Sequence, residues 1–153
     1  MTFPRDPKII DLMMGIPSND NRNDWYEFMK PLLLDQESKE MFSFPAEYMF
    51  KDVPVTGDQK DFVAYIINEM DKYSINKAFV GLNENQKEFH DAYKNHSDRF
   101  FFNYPANPNN GMEEVRTIKR LHKEYDIKGV DAFPSGLCPQ VPINDKKWYP
   151  IYA

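Results

Sequence analysis

NKAFVGLNENQKEFHDAYKNHSDRFFFNY, Asn76 to Tyr104, decides the fold class. It begins and ends on short apolar runs, NKAFVGL (Asn76–Leu82) and RFFFNY (Arg99–Tyr104), with a polar segment between them whose Phe89, Ala92 and Tyr93 fall on one helical face. Continuous apolar runs suit strands covered on both faces, as in a parallel sheet, and a helix between two of them is the crossover such a sheet requires. The unit recurs. IKGVDAF (Ile127–Phe133) follows a helical stretch with Val115, Ile118, Leu121 and Tyr125 on one stripe, and KIIDLMMGI (Lys8–Ile16) precedes the series. From Asn76 onward successive strands start about 23 to 28 residues apart, close to the roughly 30 of a right-handed βαβ unit.

Asp58 to Tyr73 predicts a further amphipathic helix, with Phe62, Ile66, Met70 and Tyr73 at 3.6 spacing and Val63 and Ile67 beside them. Asn83 with Gln86, and Asn110 with Glu113, have the spacing of a reciprocal helix-start box. Pro17 to Gly57 reads as an insertion after the first strand, with a helix around Asp24 to Leu34 and an aromatic stretch from Phe42 to Phe50. An excursion there is expected to cover the carboxyl end of the sheet, where α/β folds place their sites.

With 153 residues and 41% hydrophobic content, one domain or a piece of one is expected. A net charge of -5, with basic residues interspersed among acids, gives no field for nucleic acid. No run approaches the roughly 20 apolar residues of a membrane span, and MTFPRDPK lacks a secretory core, so a cytoplasmic location is expected. The single cysteine, Cys138, cannot form an internal disulfide and reads as a buried or loop thiol rather than a nucleophile. No glycine-rich phosphate loop occurs. The ending KKWYPIYA opens a helix whose Trp148, Tyr149, Ile151 and Tyr152 either dock on the sheet or belong against a continuation of the chain.

Four stretches in order carry a family resemblance: INKAFVG after DKYSI, HSDRFFFNYPANPNNG, IKGVDAFPS and NDKKWYPIYA. Over Asp61 to Ala153 the chain resembles the amidohydrolase-related family, which holds metal-dependent hydrolases and aromatic-acid decarboxylases. WYEFMKP and FPAEYMFKDVP match more loosely. The resemblance implies a TIM-type (β/α)₈ barrel, of which about four parallel strands with alternating helices are present. Residues 1–153 would then be a single partial barrel domain truncated at its C-terminus, with the family's fifth-strand histidine and eighth-strand acid lying beyond Ala153. It further implies a divalent metal, Zn or Mn, and a site at the carboxyl ends of the strands.

One departure bears on activity. Where the family's first strand ends in Asp-x-His-x-His, this chain has Asp11, Met13 and Gly15. Glycine offers no ligand atom and a thioether is a soft ligand, so no metal is expected in this chain. The pocket candidates are Asp11, Met13, Gly15, Asn103, Asp131 and Phe133, with Met14 and Asn107 as neighbours. Asp11 reads as an acid or base, or as a carboxylate satisfied by backbone amides. Asp131 either faces the barrel lumen or is a structural hydrogen-bonded carboxylate. His90, His96 and His122 fall on helices, away from the site. Three functions remain open: a hydrolase or decarboxylase fragment acting on a small aromatic or acyl substrate and inactive without its metal ligands; a non-catalytic ligand- or partner-binding module; and a complete doubly wound module with a ligand at its switch point. The exposed edges of a four-strand sheet favour homo-oligomers.

Overall fold

The computed structural model describes residues 8–18, 31–41, 49–52 and 56–153. Its elements are β1 (Ile9–Met14), α1 (Gln36–Met41), α2 (Phe62–Lys72), β2 (Ile75–Gly81), α3 (Lys87–Asn95), β3 (Phe100–Pro105), α4 (Met112–Tyr125), β4 (Gly129–Asp131) and α5 (Tyr149–Tyr152). The four strands form one sheet in the order β1-β2-β3-β4, every pair parallel. The sheet curls as half of an α/β barrel. The helix expected over Asp24 to Leu34 and the aromatic stretch from Phe42 lie largely outside the described residues, and Leu33–Leu34 are not helical.

Alternation sorts the strand residues onto two faces. Ala78 pairs with Phe100 and Val80 with Phe102. All four are buried in one cluster with Phe62, Val63 and Met70 of α2, Phe89 and Ala92 of α3, and Leu121 of α4. This is the outer, helix-covered face. Phe89 stands edge-on to Phe102 at 5.0 Å and to Tyr125 at 5.3 Å, so an aromatic set clamps α3 and α4 onto β3. The inner face carries Phe79 against Phe101, ring centroids 4.8 Å apart. Gly129 faces the same ring: a Cβ there would sit 2.7 Å from Phe79 Cζ, so glycine is what lets β4 approach.

Helix ends depart from the sequence reading. The helix expected from Asp58 begins at Phe62, capped by Asp61, whose carboxylate accepts from Ala64 N at 2.9 Å. Neither predicted box forms. Asn83 Oδ1 accepts from Asn85 N in a turn, while Gln86, the capping residue of α3, spends its side-chain amide on Ile16 O at 2.9 Å. Asn110 donates to Glu114, Glu113 pairs with Arg116 on the surface, and Gly111 occupies the cap of α4. Ser74 and Asp126, just past α2 and α4, hold left-handed backbone at φ 57 and 52, the conformation that ends a helix sharply. Trp148 is 1% exposed, packed with Ala106 and Val141 against Tyr104, Ile118 and Ile151. The C-terminal turn therefore docks through Trp148, while Tyr149 and Tyr152 remain exposed.

Candidate functional site at the carboxyl ends of the strands

In parallel α/β sheets the carboxyl ends of the strands point their last side chains and the following loops into a common rim. Asn103 pairs with Gly81 on one side and Gly129 on the other, and Pro105 pairs with Asp131. Asn103 and Asp131 thus share the inner face two positions apart, and the Asn103 amide nitrogen donates to the Asp131 carboxylate. Because an ionised carboxylate only accepts, this neighbour fixes which end of the amide faces it. Asn103 is 4% exposed, and its Oδ1 is buried without a hydrogen-bond partner among the described residues. Gly81 leaves that oxygen room, since even a Cβ at Gly81 would lie 3.7 Å from it. Such an orphaned acceptor costs on the order of 1–3 kcal/mol until a donor reaches it.

The other sequence candidates are not gathered with this pair. Asp11 Oδ1 accepts from Met13 N at 2.8 Å, the backbone-satisfied alternative for that carboxylate. Met13 is 95% exposed, and Gly15 has open space where a side chain would stand. Phe133 is also exposed, just past β4. Asn107 turns its side chain inward to cap the loop after β3, accepting from Asn109 N at 3.0 Å. His90 Nε2 lies 2.8 Å from Glu84 O and His122 Nδ1 3.1 Å from Ile127 O, both on the helical layer. Cys138 is an exposed loop thiol.

Sequence reading missed Glu114. This carboxylate is 1% exposed on α4 and accepts from Asn107 N at 2.7 Å and Asn110 Nδ2 at 2.8 Å. Burial first, then the Glu114 charge and a hydrogen bond to it, push the Tyr104 phenol up to about 12. Glu114 braces the loop after β3 through Asn107 and Asn110. Its signal was the Asn107, Asn110, Glu114 spacing, which was read one residue off. Nearby, Arg120 bridges Glu84 at 2.7 Å and Glu124 at 2.6 Å, and the Arg120 hydrogen bond holds the Glu84 carboxyl below its ordinary range.

Gly15 and Met13, which the sequence resemblance aligns with metal-binding histidines, do not fit a hard divalent ion: one has no side chain and the other is an exposed thioether. Among the described residues no three His, Cys, Asp or Glu side chains gather into a metal-sized cluster, and no helix is long and apolar enough to cross a membrane. An open groove of about 510 Å³ lies at the opposite, amino ends of the strands between Lys8, Asp71, Lys77, Asp98 and Arg99. There Arg99 is already committed to Asp71 at 2.7 Å and to Asn76 O at 3.0 Å. Set against protein-family models, characterised proteins and solved structures, the chain finds no match.

Proposed function

We propose that the chain carries the first four βα units of an amidohydrolase-related, TIM-type barrel, from a hydrolase or decarboxylase acting on a small aromatic or acyl substrate. In the form described it binds ligand without turning it over, because β1 does not supply the family's metal ligands. The observation that carries this reading is the inner-face pair at the strand ends, with Asn103 Oδ1 buried and unpartnered beside the Asp131 carboxylate. Two acceptors side by side suit a ligand that donates, such as a carboxamide or an amine, and a carboxylate ligand would meet Asp131 charge to charge. Of the family's chemistries the rim therefore fits amide-bond hydrolysis better than decarboxylation of an acid.

The test is amide-resolved NMR with benzamide and benzoate in turn. Benzamide is expected to move the side-chain amide of Asn103 and the backbone amides of residues 103–106 and 129–132, and Asn103→Leu is expected to abolish the response. If benzoate alone binds, or if the shifts fall elsewhere, the reading fails. Metal analysis supplies an independent check: purified protein is expected to hold well under one Zn or Mn per chain, and one tightly bound ion per chain would contradict it.

The non-catalytic reading has its own support. Met13 and Gly15 remove two ligands at once, and Asp11 is occupied by the Met13 backbone amide. A module that binds without catalysis requires nothing more of β1 than it has.

A further inference from the structure

Asn110–Gly111 is the one place in the sequence where glycine follows asparagine. Asparagine is heat-labile because the backbone nitrogen of the next residue can attack its side-chain carbonyl carbon and close a five-membered ring. A glycine in that next position puts no Cβ in the way and leaves the backbone free to bring its nitrogen round. Both residues are exposed, and among the described residues nothing lies within 4 Å of where a Cβ on Gly111 would stand. Two hydrogen bonds hold the pair apart from this reaction. Asn110 Nδ2 donates to Glu114 Oε2 at 2.8 Å, and Gly111 N donates to Pro108 O at 3.2 Å, the long end of the range for such a bond. The adjacent Asn109 is tied down more firmly: its amide donates to Pro139 O at 2.9 Å, its Oδ1 accepts from Lys147 Nζ at 2.8 Å, and the residue after it is asparagine.

We propose that Asn110 is a deamidation site, restrained by Glu114, whose conversion releases the loop between β3 and α4. In the first step the Gly111 nitrogen bonds to Asn110 Cγ and gives up its proton to solvent base, the Cγ–Nδ2 bond breaks, and ammonia leaves after taking a proton from water. Water then opens the succinimide ring at either of its two carbonyls, which gives aspartate or the β-linked isoaspartate. Water is the only co-reactant. Either product exchanges a donor for a carboxylate, which when ionised only accepts. That carboxylate would stand at hydrogen-bond distance from Glu114, itself 1% exposed and unable to move into solvent. Two carboxylates so placed cannot both stay ionised, so the new one turns outward and the bond to Glu114 is lost. Isoaspartate also lengthens the backbone by one carbon directly before Gly111, the cap of α4. Asn107, whose backbone N–H shares the Glu114 carboxylate, is then held from one side fewer. The chemistry is independent of any ligand at the strand-end rim.

The test is mass spectrometry of the tryptic peptide 100–116 from protein held for weeks at mildly alkaline pH. Conversion is expected at Asn110 ahead of every other asparagine, with aspartate and isoaspartate both formed, as ring opening requires. The chain unfolded in urea should convert at least tenfold faster than the native one, and Glu114→Ala, its fold checked by circular dichroism, at least threefold faster. In Asn110→Asp, which carries the product's charge from the start, hydrogen exchange at the Asn107 N–H should rise at least tenfold. A native chain in which another asparagine converts first, or in which Asn110 stays intact throughout, overturns the site. A folded Glu114→Ala chain converting at the native rate overturns the restraint, and unchanged Asn107 exchange in Asn110→Asp overturns the release. Should Glu114→Ala fail to fold, Glu114→Gln decides that point: one acceptor oxygen then serves two donors, so conversion should still outpace the native rate, and an equal rate refutes the restraint.

Discussion

Replacing Glu114 by alanine tests whether the strand-end rim depends on a carboxylate behind it. In the native chain Glu114 accepts from the Asn107 backbone N–H and the Asn110 side-chain amide, and its charge helps to push the Tyr104 phenol up. Removal strands the half-buried Asn107 N–H, at about 1–3 kcal/mol, and forfeits the bond from Asn110 to a charged acceptor. Part of this is returned because a buried carboxylate no longer has to be desolvated. The net expectation is a loss of about 2–4 kcal/mol, a large share of the ~5–15 kcal/mol typical of a domain. Glu114→Gln, which keeps one acceptor, should lose roughly half as much. Urea unfolding measures the loss. A second readout is specific to the contact. Tyr104 is held neutral from its ordinary 10.0 up to about 12, so its native environment favours the protonated phenol. Stability from this source is fully present below pH 10 and is lost as pH rises from 10 towards 12, because the unfolded chain ionises first. For a half-exposed phenol the effect is on the order of 1 kcal/mol after solvent screening. In Glu114→Ala the Tyr104 signal, followed by carbon-labelled tyrosine NMR, should titrate closer to 10 while the other eight tyrosines stay put. A variant within 0.5 kcal/mol of wild type, with Tyr104 titrating as before, would mean that Glu114 does not hold this loop, an outcome below the ~1 kcal/mol expected of a single lost bond.

Three further outcomes are expected. Trp148→Ala removes a side chain that is 1% exposed at the centre of the second apolar cluster and should cost about 3–5 kcal/mol in urea unfolding, with faster hydrogen exchange across residues 141–152. Gly129→Val places side-chain atoms into the Phe79 ring and should destabilise by about 1–3 kcal/mol, and Phe79→Ala in the same chain should relieve that added strain. The Glu84 carboxyl, lowered by its hydrogen bond to Arg120, adds stability that is present above its ordinary 4.5 and is lost as pH falls through its lower folded value. Arg120→Gln should therefore flatten the acid limb of the thermal midpoint against pH below about 4.5, and an unchanged limb would remove this ion pair from the account.

What could be read from the sequence followed from burial. β2 and β3 are covered by α2, α3 and α4 on one face and lie between strands on both edges, so their runs are continuously apolar and their limits were legible to within a residue. β4 was read too long, since only Gly129–Asp131 keeps ladder geometry before Pro134 redirects the chain. Helix starts were read from spacing alone, and spacing cannot say which of several polar groups wins a contest. Gln86 had a better partner in Ile16 O, and Asn110 in Glu114. Asn103 and Asp131 could each be placed at strand ends. Their direct contact depended on a register that no single sequence displays.

The end of β1 is where resemblance and structure bear on the same atoms. Asp11, Met13 and Gly15, which the sequence resemblance aligns with a metal-binding strand end, leave the end of β1 apolar. Methionine and glycine make this end apolar, with Met13 the most exposed of the strand's side chains. A thioether on an unbranched stem is well suited to packing against an irregular surface and poorly suited to holding a hard cation. Met13 therefore suits apolar packing better than metal binding at the end of β1.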